Sequence, residues 1–231
     1  MSKGGVFFAL LLGLAVASTA AHEFKIDSGN LGFVPPKPGT YKLNKIMPAP
    51  DGKVVNVDGK TDRLSRYTTG MVTLLGFIYT TCPDEKGCPL AYRVFYDLKK
   101  QIENSPELYD KIRFVSLSFD PENDTPQVMR LYGGSQLVES TGLKWYFLTT
   151  GSRKELHPIL DGFGQDVSVL RNPGKDAPRT FTHVLKVFLI DHSGQIREIY
   201  STSYLIPQLV MNDMLTLLLE DGKAAKAASK K

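Results

Sequence analysis

The chain has 231 residues, of which 42% are hydrophobic and 23% charged, with a formal net charge of +4. That length suffices for one medium-sized domain with extensions and a well-buried core. The charge is too small and too scattered to indicate a nucleic-acid-binding surface.

At the start, Lys3 precedes the apolar run Val6 to Val16, and small residues follow in Ala17-Ser-Thr-Ala-Ala21. A basic start, a short apolar stretch and a small-residue site form the order of a secretory signal peptide. Both Ser18-Thr-Ala20 and Thr19-Ala-Ala21 suit cleavage, so residues 1–21 are expected to be removed. The run is short for a transmembrane span, and membrane association follows only if the segment stays uncleaved. Cleavage after Ala21 removes Lys3 and no acid, so the charge falls from +4 to +3. The mature chain is then exported, to a periplasm or the extracytoplasmic side of a membrane. Two thiols close in sequence would oxidise there unless reduced or capped by a metal.

Residues 22–68 read as an extension. His22 to Tyr41 holds Pro35, Pro36, Pro38 and three glycines, an extended lead-in. Ile46 to Thr61 carries turn signals at Ala49-Pro-Asp-Gly52 and Val57-Asp-Gly59, which predict a hairpin in front of the main domain. From Val72 the pattern alternates. Val72–Tyr79 is a buried-type strand, and Pro89 opens a helix whose Leu90, Val94, Phe95, Leu98 and Ile102 share one face. Ile112–Phe119 is a second strand, followed by a short helix capped by Thr125 before Pro126. Trp145–Thr149 is a third, and Ser152-Arg-Lys-Glu155 is a capping box for a helix reaching Phe163.

Arg171 to Thr180, rich in proline, glycine and charge, reads as a surface loop. Val184–Ile190 is a fourth strand, turned by Asp191-His-Ser-Gly194 into a fifth, Gln195–Tyr200. Pro207 to Glu220 is the last helix, with Leu209, Val210, Met214, Leu217 and Leu218 inward, and the lysine-rich residues 221–231 read as a flexible basic tail. Strand–helix units closed by a hairpin and a helix predict an α/β fold with a central mixed sheet flanked by helices, in the thioredoxin-like order.

Chemistry concentrates at Cys82 and Cys88, which are the two cysteines of the chain and lie in a strand-to-helix loop. A pair so placed forms a structural disulfide, exchanges thiols with other proteins or binds a soft metal. The five residues between them close little chain, so a staple returns little entropy. Cys88 also stands at a helix start, where free amides and the helix dipole favour a thiolate. Thiolates favour Cu(I), Zn(II) or iron–sulfur centres, but two cannot complete a closed zinc or cluster site. Of four histidines, His157 faces solvent from a helix and His192 occupies a turn. His22 would pair amine and imidazole only at a new N-terminus. His183 stands ahead of strand four, at the sheet end that carries the cysteine loop.

Three segments resemble the Sco/SenC family of copper proteins, which assemble cytochrome c oxidase. They are Phe77-Ile-Tyr-Thr-Thr-Cys82-Pro-Asp with Cys88-Pro-Leu, then Ser118-Phe-Asp-Pro-Glu-Asn-Asp-Thr-Pro126, then His183-Val-Leu-Lys-Val-Phe-Leu-Ile-Asp-His-Ser-Gly194. The likeness spans about Thr69 to Glu220, marking residues 69–220 as the Sco domain. The resemblance implies copper, as Cu(I) and also Cu(II), on Cys82, Cys88 and His183. It departs in two places: five residues separate the cysteines where the family usually has three, and Thr182 stands where aspartate commonly precedes the histidine.

The implied function is copper delivery to, or reduction of cysteines in, a copper-centre subunit of a respiratory oxidase or similar cuproprotein, with Cys82 and Cys88 as redox dithiol. A thiol reductant protein is a further implied partner. Asp120 and Asp124, in the second segment, suit loop closure and helix capping, with support of the site or partner docking as the other role. Two further readings stay open: a thiol–disulfide oxidoreductase without functional copper, and a binding module stapled by one disulfide.

Overall fold

In the computed structural model, residues 33–137, 142–171 and 180–228 are described. The segment read as a signal peptide, His22, and most of the loop after Arg171 lie outside them. An eight-stranded mixed sheet runs in the order β1 (Met47–Pro48), β10 (Gln195–Tyr200), β9 (Val187–Ile190), β4 (Val72–Ile78), β5 (Ile112–Ser118), β6 (Lys144–Thr149), β2 (Lys53–Asn56) and β3 (Thr61–Arg63). Its centre is β4 (Val72–Ile78), parallel to β5 (Ile112–Ser118), which is in turn parallel to β6 (Lys144–Thr149). Every residue of β4 and β5 is buried, as an apolar run covered on both faces demands. On its other side β4 pairs antiparallel with β9 (Val187–Ile190), and β9 with β10 (Gln195–Tyr200).

Helices cover both faces. From α2 (Cys88–Ile102), Phe95 packs on Phe114 and Trp145 at centroid distances of 5.2 and 5.6 Å. From α4 (Arg153–Phe163), Phe163 meets Phe77 and Phe188 at 5.3 and 4.9 Å. Alternation along β4 explains the division, because neighbouring side chains point to opposite faces. A side chain at Gly76 would press on Phe95, whereas Phe77 faces Phe163. The short α3 (Pro126–Gly133) is capped by Thr125, whose hydroxyl accepts from the Val128 amide at 3.4 Å. Ser152 likewise caps α4 through the Glu155 amide at 3.3 Å.

Five features depart from the sequence reading. The expected N-terminal hairpin forms as β2 (Lys53–Asn56) and β3 (Thr61–Arg63), turned at Gly59 with φ +75°. It belongs to the central sheet, since β2 pairs with β6, while β1 (Met47–Pro48) joins β10 at the opposite edge. A one-turn helix, α1 (Ser65–Thr68), follows β3. Strand four is shorter than expected: Thr180–His183 is a separate strand, β8, paired with β7 (Val167–Arg171) in a second, two-stranded sheet. The apolar residues Val184 and Leu185 extend the run ahead of β9 without joining it, and Phe181 to His183 carry too short a pattern to announce a strand of their own. The last helix, α5 (Pro207–Ala228), continues through the first eight residues assigned to a flexible tail. Alanine and lysine are strong helix formers, and lysines near a C-terminus complement the helix dipole. Met211, fully buried, takes the inward position expected of the half-buried Leu209.

Arg197 on β10 ties several of these pieces together. It donates to Asp191 at 3.0 Å, to Glu220 of α5 at 2.9 Å and to the Leu43 and Asn44 carbonyls at 2.6 and 3.2 Å. Burial alone would raise the Asp191 carboxyl, but bonds from Ser193, the Gln195 amide and Arg197 outweigh it and hold it below the ordinary range. With both side chains almost fully buried, removing one leaves an uncompensated charge. Arg197→Met should cost about 3–5 kcal/mol in chemical denaturation at neutral pH. A depressed carboxylate stabilises fully above its unfolded pKa of about 3.9 and ceases to as pH falls through the folded value. The gap between variant and parent should therefore hold down to about pH 4 and narrow below it.

Candidate metal centre

The C-terminal ends of parallel strands β4 and β5 open at one edge of the sheet. Because β9 is antiparallel to β4, with Val187 opposite Gly76, the segment entering β9 arrives at that same edge. Cys82 follows β4, Cys88 is the first residue of α2, and His183 is the last residue of β8. Their ligand atoms all lie within 4.8 Å of one another, the one such three-residue convergence among the described residues. Cys88 Sγ stands 3.8 Å from His183 Nε2. Both cysteines are free thiols, Cys88 buried and Cys82 half-buried.

The five residues between the cysteines form an ordered turn around Asp84. The Asp84 side chain accepts from the Lys86 amide at 3.0 Å, and its carbonyl accepts from the Gly87 amide at 2.9 Å. A side chain at Gly87 would lie 3.3 Å from two Asp84 oxygens, so glycine permits the close return. The longer spacing thus delivers both sulfurs to one point. Beside the turn, Glu85, Pro89, Tyr92, Arg93 and Tyr132 line an open cleft of about 470 Å³.

Beneath the imidazole is an aromatic floor. Tyr79, Phe119 and Phe181 pack mutually at 4.9–5.3 Å, and His183 rests on Phe119 at 4.9 Å and Tyr79 at 5.9 Å. Phe181 and His183 point the same way because they are two apart on one strand. The sequence reading did not include these rings in the site. The spacing Phe181-x-His183 is the available signal, hidden because the sequence shows no strand between the Arg171–Thr180 loop and Val184.

Local electrostatics distinguish the two thiols. A bond from the Cys88 thiol, helped by the Cys88 and Asp84 amides and the Tyr79 hydroxyl, outweighs burial and pulls Cys82 down to about 5. The same bond, then burial, pushes Cys88 far above the ordinary thiol range. The amide at the helix start favours a thiolate at Cys82, whereas at Cys88 the bond to Cys82 and burial outweigh the same amide. Burial lowers His183 below its usual value, against the opposing charge of Cys82, so the imidazole is neutral with a lone pair to offer at neutral pH.

The remaining candidates are placed as follows. His157 is exposed and pairs with Asp161 at 2.8 Å; His192 pairs with Asp221 of α5 at 2.9 Å. Neither is near the cysteines in the convergent group. Asp120 and Asp124 are both 1% exposed. Asp120 closes its own loop, its carbonyl accepting from the Asn123 and Asp124 amides. Asp124 does not cap α3, a task Thr125 performs; it accepts from Thr80 and Ser118.

In the reduced, metal-free protein, alkylation by iodoacetamide should modify Cys82 well before Cys88, as peptide mapping will show. Its rate should change little between about pH 8 and 7 and halve only near about pH 5, whereas an ordinary thiol titrates near 8.5.

Comparison with known proteins identifies the family and the fold. The SCO1/SenC family model matches residues 52–218. A SCO1 protein homolog of Bacillus subtilis (strain 168) is 30% identical over 148 residues, which cover 63% of this chain and 69% of that protein. The copper-bound ScoI of Arabidopsis thaliana superposes with a TM-score of 0.60 at 19% identity, over 74% of this chain and 98% of its own. BsSco, described with a disulfide switch and as a member of the Sco family of cytochrome c oxidase assembly proteins, superposes at 0.57 with 22% identity, over 77% and 98%. The fold is that of these thioredoxin-like proteins, and the chain belongs to the SCO1/SenC family.

Proposed function

We propose that this chain is an exported copper-binding protein that serves assembly of cytochrome c oxidase, handing copper to a copper-centre subunit, reducing that subunit's cysteines, or both. The observation that carries the reading is the convergence of Cys82, Cys88 and His183 within 4.8 Å at the rim of the sheet. Two thiolates and a neutral imidazole are soft donors suited to Cu(I). The ion is cargo here. A half-buried Cys82 beside a buried Cys88 suits stepwise transfer, since an incoming thiolate from the recipient meets Cys82 first.

Export rests on the order of residues 1–21, and intact mass of the purified extracytoplasmic protein tests it. Among the described residues no helix is long and apolar enough to cross a membrane. Domain limits of 22–68 for the extension and 69–220 for the Sco domain remain part of this proposal, with β2 and β3 of the extension built into the sheet.

The asymmetry of the thiols also favours dithiol chemistry. The Cys82 thiolate attacks a disulfide of the recipient, a mixed disulfide forms, and one recipient thiolate leaves. Cys88 then loses its proton and attacks Cys82 Sγ, releasing the second thiolate. The recipient gains two electrons, and Cys82 and Cys88 end as a disulfide that a thiol reductant protein would restore.

Titration of the reduced protein with Cu(I) under argon, against a chromogenic competitor, should give one ion per chain. Cys82→Ser and Cys88→Ser should each abolish tight binding, and His183→Ala should weaken it by about tenfold or more, a loss of ~1.4 kcal/mol. His157→Ala and His192→Ala should leave it unchanged. Full affinity in His183→Ala would overturn the three-ligand site and favour the dithiol reading alone.

A further inference from the structure

We propose that Asp124 is a positioning residue for the metal and redox site, setting where Cys82 stands relative to Cys88 and His183. Its carboxylate is 1% exposed, and no helix cap depends on it, because Thr125 supplies that bond to α3. Instead it reaches across to the loop that follows β4. One oxygen accepts from the Thr80 hydroxyl at 2.5 Å; the other accepts from the Thr80 amide at 3.1 Å and the Ser118 hydroxyl at 2.5 Å. Thr80 lies two residues before Cys82. Three donors on one buried carboxylate fix both backbone and side chain of Thr80, and bonds to a charged acceptor are the strong class.

The geometry gives the bond its consequence. Strands β4 and β5 stay in register as far as Ile78 opposite Ser118, and the Phe119 amide still donates to the Ile78 carbonyl at 2.9 Å. Beyond that point sheet pairing no longer restrains the chain that becomes the cysteine loop. Asp124 resumes the restraint two residues later, at Thr80, anchored through its own turn: its amide donates to the Asp120 carbonyl at 2.8 Å, and the Asp120 amide donates to Ser118 Oγ at 3.0 Å. The same exit from β5 supports the third donor, because Phe119 lies against the His183 ring at 4.9 Å. One short segment, Ser118 to Asp124, therefore holds the cysteine side of the site by a carboxylate and the histidine side by an aromatic face. Displacement of about 1 Å in a constellation of this kind is enough to impair it.

This inference rests on the copper reading for one readout and is independent of it for another. With full-length reduced protein under argon, Asp124→Asn should weaken Cu(I) binding at least tenfold. It should also shift the thiol–disulfide equilibrium with glutathione at least threefold. Thr80→Val should move both readouts in the same direction, and Thr80→Ser, which keeps a hydroxyl, should restore them. Asp213→Asn removes another buried carboxylate, one bonded to Tyr41 and Tyr200, and should lower the melting temperature with neither readout changed. Unchanged affinity and unchanged equilibrium in a folded Asp124→Asn protein would overturn the proposal, as would an equal effect from Asp213→Asn. Should Asp124→Asn fail to fold, the Thr80→Val and Thr80→Ser pair decides. Absence of copper binding in the parent protein would instead defeat the copper reading, and the glutathione equilibrium would still judge Asp124.

Discussion

Strand β4 is gripped on both sides, parallel to β5 and antiparallel to β9, and the site depends on that mixed pairing. A parallel neighbour sends its exit loop to the same end as the exit of β4; an antiparallel neighbour brings its entrance there. Residues a hundred positions apart meet only because β9 enters where β4 leaves. All seven β4 residues are buried, so the strand cannot slip by one position without exposing apolar side chains or burying turn residues. The fixed register is what makes the 4.8 Å convergence of the cysteine loop and the end of β8 reproducible.

On that rim, the two sulfurs have unequal surroundings. Cys88 is sealed under the start of α2, whereas Cys82 sits on the turn where amides and a hydroxyl point at it. Charge therefore collects on the sulfur that a partner reaches first. The aromatic floor shields part of the His183 ring, and this partial burial lowers its pKa and favours the neutral imidazole. A dithiol reaction asks for an accessible thiolate backed by a shielded thiol, and a soft cation asks for two sulfurs that give up their protons to it, so one pair is compatible with both proposed chemistries.

Much of this was legible in the residues. The strands and helices from Val72 to Phe163 follow from their periodicity, and Thr125 and Ser152 are caps as their types imply. Cysteine softness and loop position singled out the sulfur pair, and His183, which converges with it, was separable from His157 and His192 by its place relative to the sheet. Less visible were features created by tertiary pairing. No local signal says that β2 will add to β6, or that Thr180–His183 will leave the main sheet to pair with β7. The thiol order was misread because the helix-start argument weighs Cys88 alone, while burial and the neighbouring sulfur decide the outcome. Asp124 looked like a cap because aspartate commonly caps helices; that it reaches Thr80 instead is a long-range fact.

The central claim is that two sulfurs and one imidazole nitrogen hold a single Cu(I). X-ray absorption at the copper edge of the loaded, full-length protein tests it most directly. The account predicts a three-coordinate Cu(I) edge with two sulfur scatterers and one histidine-type nitrogen, the nitrogen signal lost in His183→Ala. A linear site with two sulfurs alone in the unchanged protein, or oxygen and nitrogen scatterers without sulfur, would contradict it.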